Sequence, residues 1–447
     1  MLTHVCRGWR ELFISRSSLW TRLDCMLVDK TELYIERSKS SPLEICVGTD
    51  NAPNWEEAFI LTVPHFGRLR TLSISGNPAQ VLPVLSEHFS RPAPLFHNLR
   101  ISLVRGQAPV LPDNLFNGDL SSLRELSLTG VITPLPWRGL SNLTTFNLCH
   151  VPENEILLTQ LLDFFESSPH LHHILLHDSI PNSSDAPTGR VVSLPHLKEL
   201  SVIAQPPHSI LLNHLSIPAG ASLRLEFDFS GAESPVPSYL PKSPRNLHNL
   251  SHITAINFHL ELGKRFARLS GPNGELRILG NWAHGDHEAD IGVSQFWRSL
   301  LDQFDISKNQ RLAISFSYFK PPSSAPIETW SIYQSLRSMV NLRTLVLARC
   351  INLPFFHILN PNENSSKTVL CPQLEELVLF IKVLQQFRIS ELLGMAEERA
   401  SRGAKLSIIS IVTLGNAYVP TKEVFQLRKY VSHVEYKFDD ALPEWDA

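Results

Sequence analysis

With 447 residues, this chain exceeds what one ordinary core serves, so two or three domains or one extended repeat array are expected. Hydrophobic residues at 43% and charged residues at 19% exclude a disordered chain. A net charge of −3 argues against nucleic acid as the main partner, since phosphate binding relies on a positive surface. In chain order, the first element is a short helix within VCRGWRELFISRSSLWTRLDC, residues 5–25. Val5, Trp9 and Leu12 share one face at helical spacing, Ser17 and Ser18 break the pattern, and Leu19 and Trp20 supply a second apolar pair. Arg7, Arg10 and Glu11 interrupt the apolar run that a signal peptide needs, and no later stretch is long enough for a transmembrane helix. A helix this short is marginal in water, so it must pack on the rest of the chain or on a partner. Under either reading both tryptophans are expected to be buried.

Residues 26–65 read as a connector, and from residue 66 one phrase recurs. FGRLRTLSISG (66–76), LSSLRELSLTG (120–130), LSNLTTFNLCH (140–150), SPHLHHILLHD (168–178), LPHLKELSVIA (194–204), MVNLRTLVLAR (339–349) and CPQLEELVLF (371–380) share the form apolar-x-x-apolar-x-apolar. Leu123, Leu143, Leu171 and Leu197 lie 20, 28 and 26 residues apart, and Leu342, Leu374 and Leu406 lie 32 apart. Periods of roughly 20–30 residues with this phrase mark leucine-rich repeats, each adding a strand to a parallel sheet. Helices are expected between strands over 154–169, 294–304, 389–403 and 421–433, with Gly403 as a C-cap. Loop insertions are expected near 181–190, 231–246, 263–293, 321–328 and 360–367, where prolines, glycines and serines collect. The predicted fold class is therefore α/β: a leucine-rich-repeat solenoid over 66–447, with outer helices and loops.

The opening phrase, Leu2-x-x-Val5-Cys6-Arg7-x-Trp9-Arg10-x-Leu12 followed by Leu19-Trp20, resembles the second half of an F-box. The continuation TRLDC…LYIERSKSSPLEI (21–45) and the tail RASRGAKLSIISIV…LRKYVSHVEYKFDDALPEWD are similar to the two ends of a large family of F-box proteins from mushroom-forming fungi. The resemblance implies a partial F-box over 1–25 in which Val5, Trp9, Leu12, Leu19 and Trp20 build the helical core and part of the contact with a Skp-type adaptor. That adaptor couples such proteins to a cullin ubiquitin ligase, while the repeats present an unidentified substrate protein. Met1 falls inside the motif, ahead of which a full F-box has a Leu-Pro-x-Glu helix start and a further apolar helix. Two readings stay open: an upstream coding segment, or a repeat scaffold that binds protein without ubiquitin-ligase coupling. The helix can equally serve as a cap on the end of the repeat array.

If the repeats bind a partner, the outward strand positions are the expected surface. They are polar early in the chain (Thr71, Ser73, Ser75, Glu125, Ser127, Thr129, Thr145, Asn147, Cys149). Later they turn apolar: Thr344, Val346 and Ala348 stand beside Glu376, Val378 and Phe380, a docking patch unless a C-terminal loop or helix covers it. HGDHEAD (284–290) carries metal-ligand residue types, and HLHHILLHD (170–178) is rich in histidine. The strand reading of the latter simply turns His173 and His177 outward and Ile174 and Leu176 inward. GPNGELRILG (271–280) lacks the Lys-Ser/Thr of a phosphate loop, and no Gly-x-Ser-x-Gly occurs. No metal, no cofactor and no catalytic activity are expected. The six cysteines (Cys6, Cys25, Cys46, Cys149, Cys350, Cys371) form no C-x-x-C pair, which fits reduced thiols in an intracellular protein of the cytoplasm or nucleus.

Overall fold

The computed structural model describes residues 6–49, 54–103, 108–112, 115–133, 140–152, 156–181, 189–204, 209–229, 240–241, 245–251, 253–261, 264–272, 274–282, 304–316, 331–348, 355–361, 368–381, 389–414 and 421–439. Val5, Cys350, the 284–290 cluster, the loop at 321–328 and nearly all of the helix predicted over 294–304 lie outside them. The fold is mixed α/β, dominated by a long, mostly parallel sheet with helices. The chain divides into two compact units, Met1–Ala204 with Ile210–Pro218, and Gln205–Ser209 with Ala219–Ala447.

In the first unit the strands are β1 (Arg22–Leu23), β2 (Leu43–Gly48), β3 (Leu69–Gly76), β4 (Asn98–Leu103), β5 (Glu125–Thr129), β6 (Thr145–Cys149), β7 (His173–His177), β8 (Val192–Ser193), β9 (Glu199–Ile203) and β10 (Leu215–Ser216). β1 to β7 and then β9 pair in chain order, every pair parallel; β8 and β10 form a separate parallel pair. The sheet thus begins upstream of residue 66, with β1 inside the segment read as a partial F-box and β2 inside the one read as a connector. Alternation explains the pattern: Leu72, Leu99, Leu126, Phe146, Ile174 and Leu200 fall opposite one another and face the core, each at most 2% exposed. Each such burial stabilises by about 1.5–3 kcal/mol.

The same turn precedes β4, β5, β6, β7 and β9. The amides of Phe96, Leu123, Leu143, Leu171 and Leu197 donate to the carbonyls three residues earlier, at 3.0–3.3 Å. A second turn follows several of the strands, with Gly130 at φ 67, His150 at φ 56 and Asp178 at φ 46. In each, the positive-φ residue donates its amide to the last carbonyl of the following strand: Gly130 to Cys149 at 2.9 Å, His150 to His177 at 2.6 Å and Asp178 to Ile203 at 2.7 Å. At position 130 a Cβ would stand 2.9 Å from the Leu103 carbonyl oxygen, so glycine is required. Histidine and aspartate tolerate the conformation better than most residues and occupy the next two turns.

Helices α1 (Arg7–Ser15), α2 (Val28–Ser38), α3 (Trp55–Ile60), α4 (Pro78–His88) and α5 (Leu158–Ser167) belong to this unit. Arg68 clasps the end of α2, donating to the Ser38 hydroxyl at 2.8 Å and to the Ile35 and Ser41 carbonyls at 3.3 and 3.1 Å. A cation placed there also suits the helix dipole. α5 lies within the helix predicted over 154–169 and buries Leu158, Leu161, Leu162, Phe164 and Phe165.

In the second unit the strands are β11 (Ser222–Phe229), β12 (Ala255–Glu261), β13 (Lys264–Ser270), β14 (Glu275–Trp282), β15 (Arg311–Phe316), β16 (Thr344–Ala348), β17 (Glu376–Ile381), β18 (Ile408–Leu414) and β19 (His433–Asp439). β11 runs parallel to β14, β13 lies antiparallel between β14 and β12, and β12 through β15–β19 is parallel again. Residues 264–270 and 275–282 of the expected insertion therefore form sheet: Ala267, Leu269, Leu276 and Ile278 point to the core, while Arg268, Glu275 and Arg277 face outward as ion pairs. Helices α6 (Ser331–Ser338), α7 (Phe355–Leu359), α8 (Ile389–Ser401) and α9 (Thr421–Leu427) connect these strands. α8 stops where Gly403 turns left-handed at φ 77.

Candidate functional site

Two groups of side chains are candidates, one in each unit. The first is built on α1 and the turn after it. Cys6 caps α1 through its sulfur, which accepts from the Trp9 amide at 3.5 Å. Arg7 and Glu11 pair across one helical turn at 2.9 Å, both highly exposed, so the pair adds little stability. The chain then reverses through a 3-10 turn at Ser17–Trp20. Trp20 fixes that reversal: its indole Nε1 donates to the Phe13 carbonyl at 2.9 Å, its ring meets Tyr34 of α2 edge-on at 5.0 Å, and Arg37 covers it at 4.4 Å. Ser41 and Ser17 hydroxyls join the segment to the end of α2 at 2.8 Å.

Phe13 and Ile14 are half-buried, but other apolar groups of this segment stay exposed. No residue of α1 is buried. Trp9 is 52%, Leu12 46% and Leu19 51% exposed, which corrects the expectation that both tryptophans are covered. Trp20 is half-buried and Trp9 is not, because only the turn, and not the helix, is pinned to α2. Met26, Leu27 and Leu33 add further exposed apolar side chains. Sequence reasoning passed over them because they follow the recognisable phrase and carry no motif of their own.

The second group lies on the outward face of β15–β18. Register places Ala313, Val346, Val378 and Ser410 in one row and Ser315, Ala348, Phe380 and Val412 in the next. Thr344 donates through its hydroxyl to Glu376 at 3.0 Å. Ala313, Val346 and Ala348 are buried, at 0%, 3% and 0% exposure, with Val378 and Phe380 packed against them. Val346 and Ala348 therefore do not lie exposed on this face. Thr344, Glu376, Val378 and Phe380 remain half-buried, which leaves part of this face accessible.

His173 and His177 point outward and Ile174 and Leu176 inward, as alternation requires. Cys6, Cys25, Cys46, Cys149 and Cys371 are free thiols. Among the described residues no helix is long and apolar enough to cross a membrane. The chain matches no protein-family model and no curated protein.

Proposed function

We propose that this chain is a leucine-rich-repeat solenoid headed by a partial F-box, acting as the substrate receptor of an SCF-type ubiquitin ligase. The observation that carries the proposal is the orientation of the N-terminal segment: Trp20 anchors it while Trp9, Leu12 and Leu19 present an apolar face to solvent. An exposed aromatic and aliphatic face on a nine-residue helix is a docking feature for a partner, since such a helix gains its stability from tertiary packing. The parallel ladder with a turn repeated before several of its strands supports the solenoid reading. In this reading the substrate contacts the outward strand face, including Thr344, Glu376, Val378 and Phe380.

The test is capture of a purified Skp-type adaptor by the full chain. Capture that is lost in Trp9→Ala and Leu12→Ala, with melting temperature unchanged, supports the proposal. Absence of capture at micromolar concentrations overturns the ligase role and leaves a protein-binding repeat scaffold.

A further inference from the structure

At the ends of β6 and β7, His150 comes together with the adjacent pair His177 and Asp178, the aspartate 28 residues further along the chain. His150 Nδ1 lies 3.1 Å from Asp178 Oδ2, and His177 Nε2 lies 3.7 Å from the same oxygen. One ligand atom from each of the three residues falls within 4.8 Å of the others. Two atoms each bound at about 2.1 Å to a tetrahedral zinc ion stand about 3.4 Å apart. The two observed separations bracket that edge, so these donors need shift by only tenths of an ångström, and the third edge is no longer than 4.8 Å.

The backbone beneath the donors is held independently of them. The His150 amide donates to the His177 carbonyl at 2.6 Å, and the buried Ser179 hydroxyl donates to that same carbonyl at 2.9 Å. The Ser179 oxygen in turn accepts from the Val151 amide at 3.0 Å. His150 and Asp178 occupy left-handed positions where the preceding turn uses Gly130. The turn thereby projects ligand-bearing side chains from places where glycine is conformationally cheapest.

We infer that His150, His177 and Asp178 form an open, three-ligand site for a borderline divalent transition ion, zinc in the first instance, with water in the fourth position. Two imidazoles and one carboxylate suit zinc over calcium or magnesium, which prefer oxygen donors. Side-chain exposures of 21%, 36% and 53% for the three residues leave the open position reachable from solvent. This inference is independent of the ligase reading, which uses a different segment of the chain.

The experiment is calorimetric titration of the metal-free full chain with zinc, paired with cobalt(II) as a visible-absorption probe. The expected result is saturable uptake of one equivalent and the bands of tetrahedral cobalt. Affinity should fall by at least about tenfold in His177→Gln, Asp178→Asn and His150→Asn. Asparagine is chosen at 150 and 178 because it tolerates the left-handed backbone, and melting of the metal-free variants verifies folding. The neighbouring histidine group (His170, His172, His196), whose rings lie 5.5–6.3 Å apart, is the control. Uptake that is indifferent to His177→Gln but lost in a His172→Gln/His196→Gln variant overturns the site, as does no saturable uptake at all.

Discussion

Inside the second unit, the Arg399 guanidinium donates through Nη2 to the Cys371 carbonyl oxygen at 2.9 Å, while its Nη1 reaches the Leu370 carbonyl at 2.8 Å. Arg399 is fully buried, and burial lowers its pKa from the usual arginine value. The arginine binds α8 to the turn that leads into β17, satisfying two carbonyls that water does not reach. Arg399→Ala is expected to cost about 2–4 kcal/mol, because both acceptors lose their donor and a cavity opens. Arg399→Lys should recover only part of this, since an ammonium lacks the planar fork. Thermal melting of the three proteins checks the order.

Cys25 and Cys371 are buried thiols whose pKa values burial pushes from 9.0 up to about 12. Native protein at pH 8 should therefore label rapidly at the exposed Cys6 and not at these two, which become reactive on denaturation. Mass spectrometry of the labelled sites reads the result. The folded thiols hold their protons above pH 9, where the unfolded chain releases them. Stability from these groups is thus complete below pH 9 and declines as pH rises from 9 toward 12.

Leu126 sits between Leu99 and Phe146 in the core, whereas neighbouring Ser127 faces outward between Arg100 and Asn147. Leu126→Asp forfeits about 1.5–3 kcal/mol of burial and places a carboxylate among apolar groups, which should unfold the first unit. Ser127→Asp should change stability by no more than about 0.5 kcal/mol. Equal melting shifts contradict the strand assignment.

Trp9 and Trp20 should separate cleanly. Trp20→Ala removes the indole hydrogen bond and the Tyr34 and Arg37 contacts, costing about 1–3 kcal/mol. Trp9→Ala should leave melting within about 0.5 kcal/mol and act only on partner capture. Loss of stability in both variants to the same degree would assign both residues to internal packing.

The leucine phrases were legible because a strand buried on one face writes its alternation into the sequence. Leu123, Leu126 and Leu128 needed no tertiary information to place. Residues 264–282 were not legible, because the outward positions there carry arginines and a glutamate whose strand role depends on cross-strand ion pairs. Trp9 misled for another reason: amphipathic spacing reports which residues share a face and not whether anything covers it. Val346 and Ala348 stayed open between a docking patch and a covered face, because strand alternation reports which side a residue faces and not what lies over it. The His150–Asp178 approach lay hidden behind 28 residues of separation, yet aligning LSNLTTFNLCH with SPHLHHILLHD sets one directly over the other.

The turns that follow β5, β6 and β7 impose a direction on unzipping. Each donates its amide N–H to a carbonyl belonging to the strand ahead, so no turn can keep its bond after that neighbour has peeled away. Fraying that begins at β9 must release Asp178 first, His150 next and Gly130 last. Solvent deuterium should enter those three amides in that sequence, a clock hand sweeping backward along the chain.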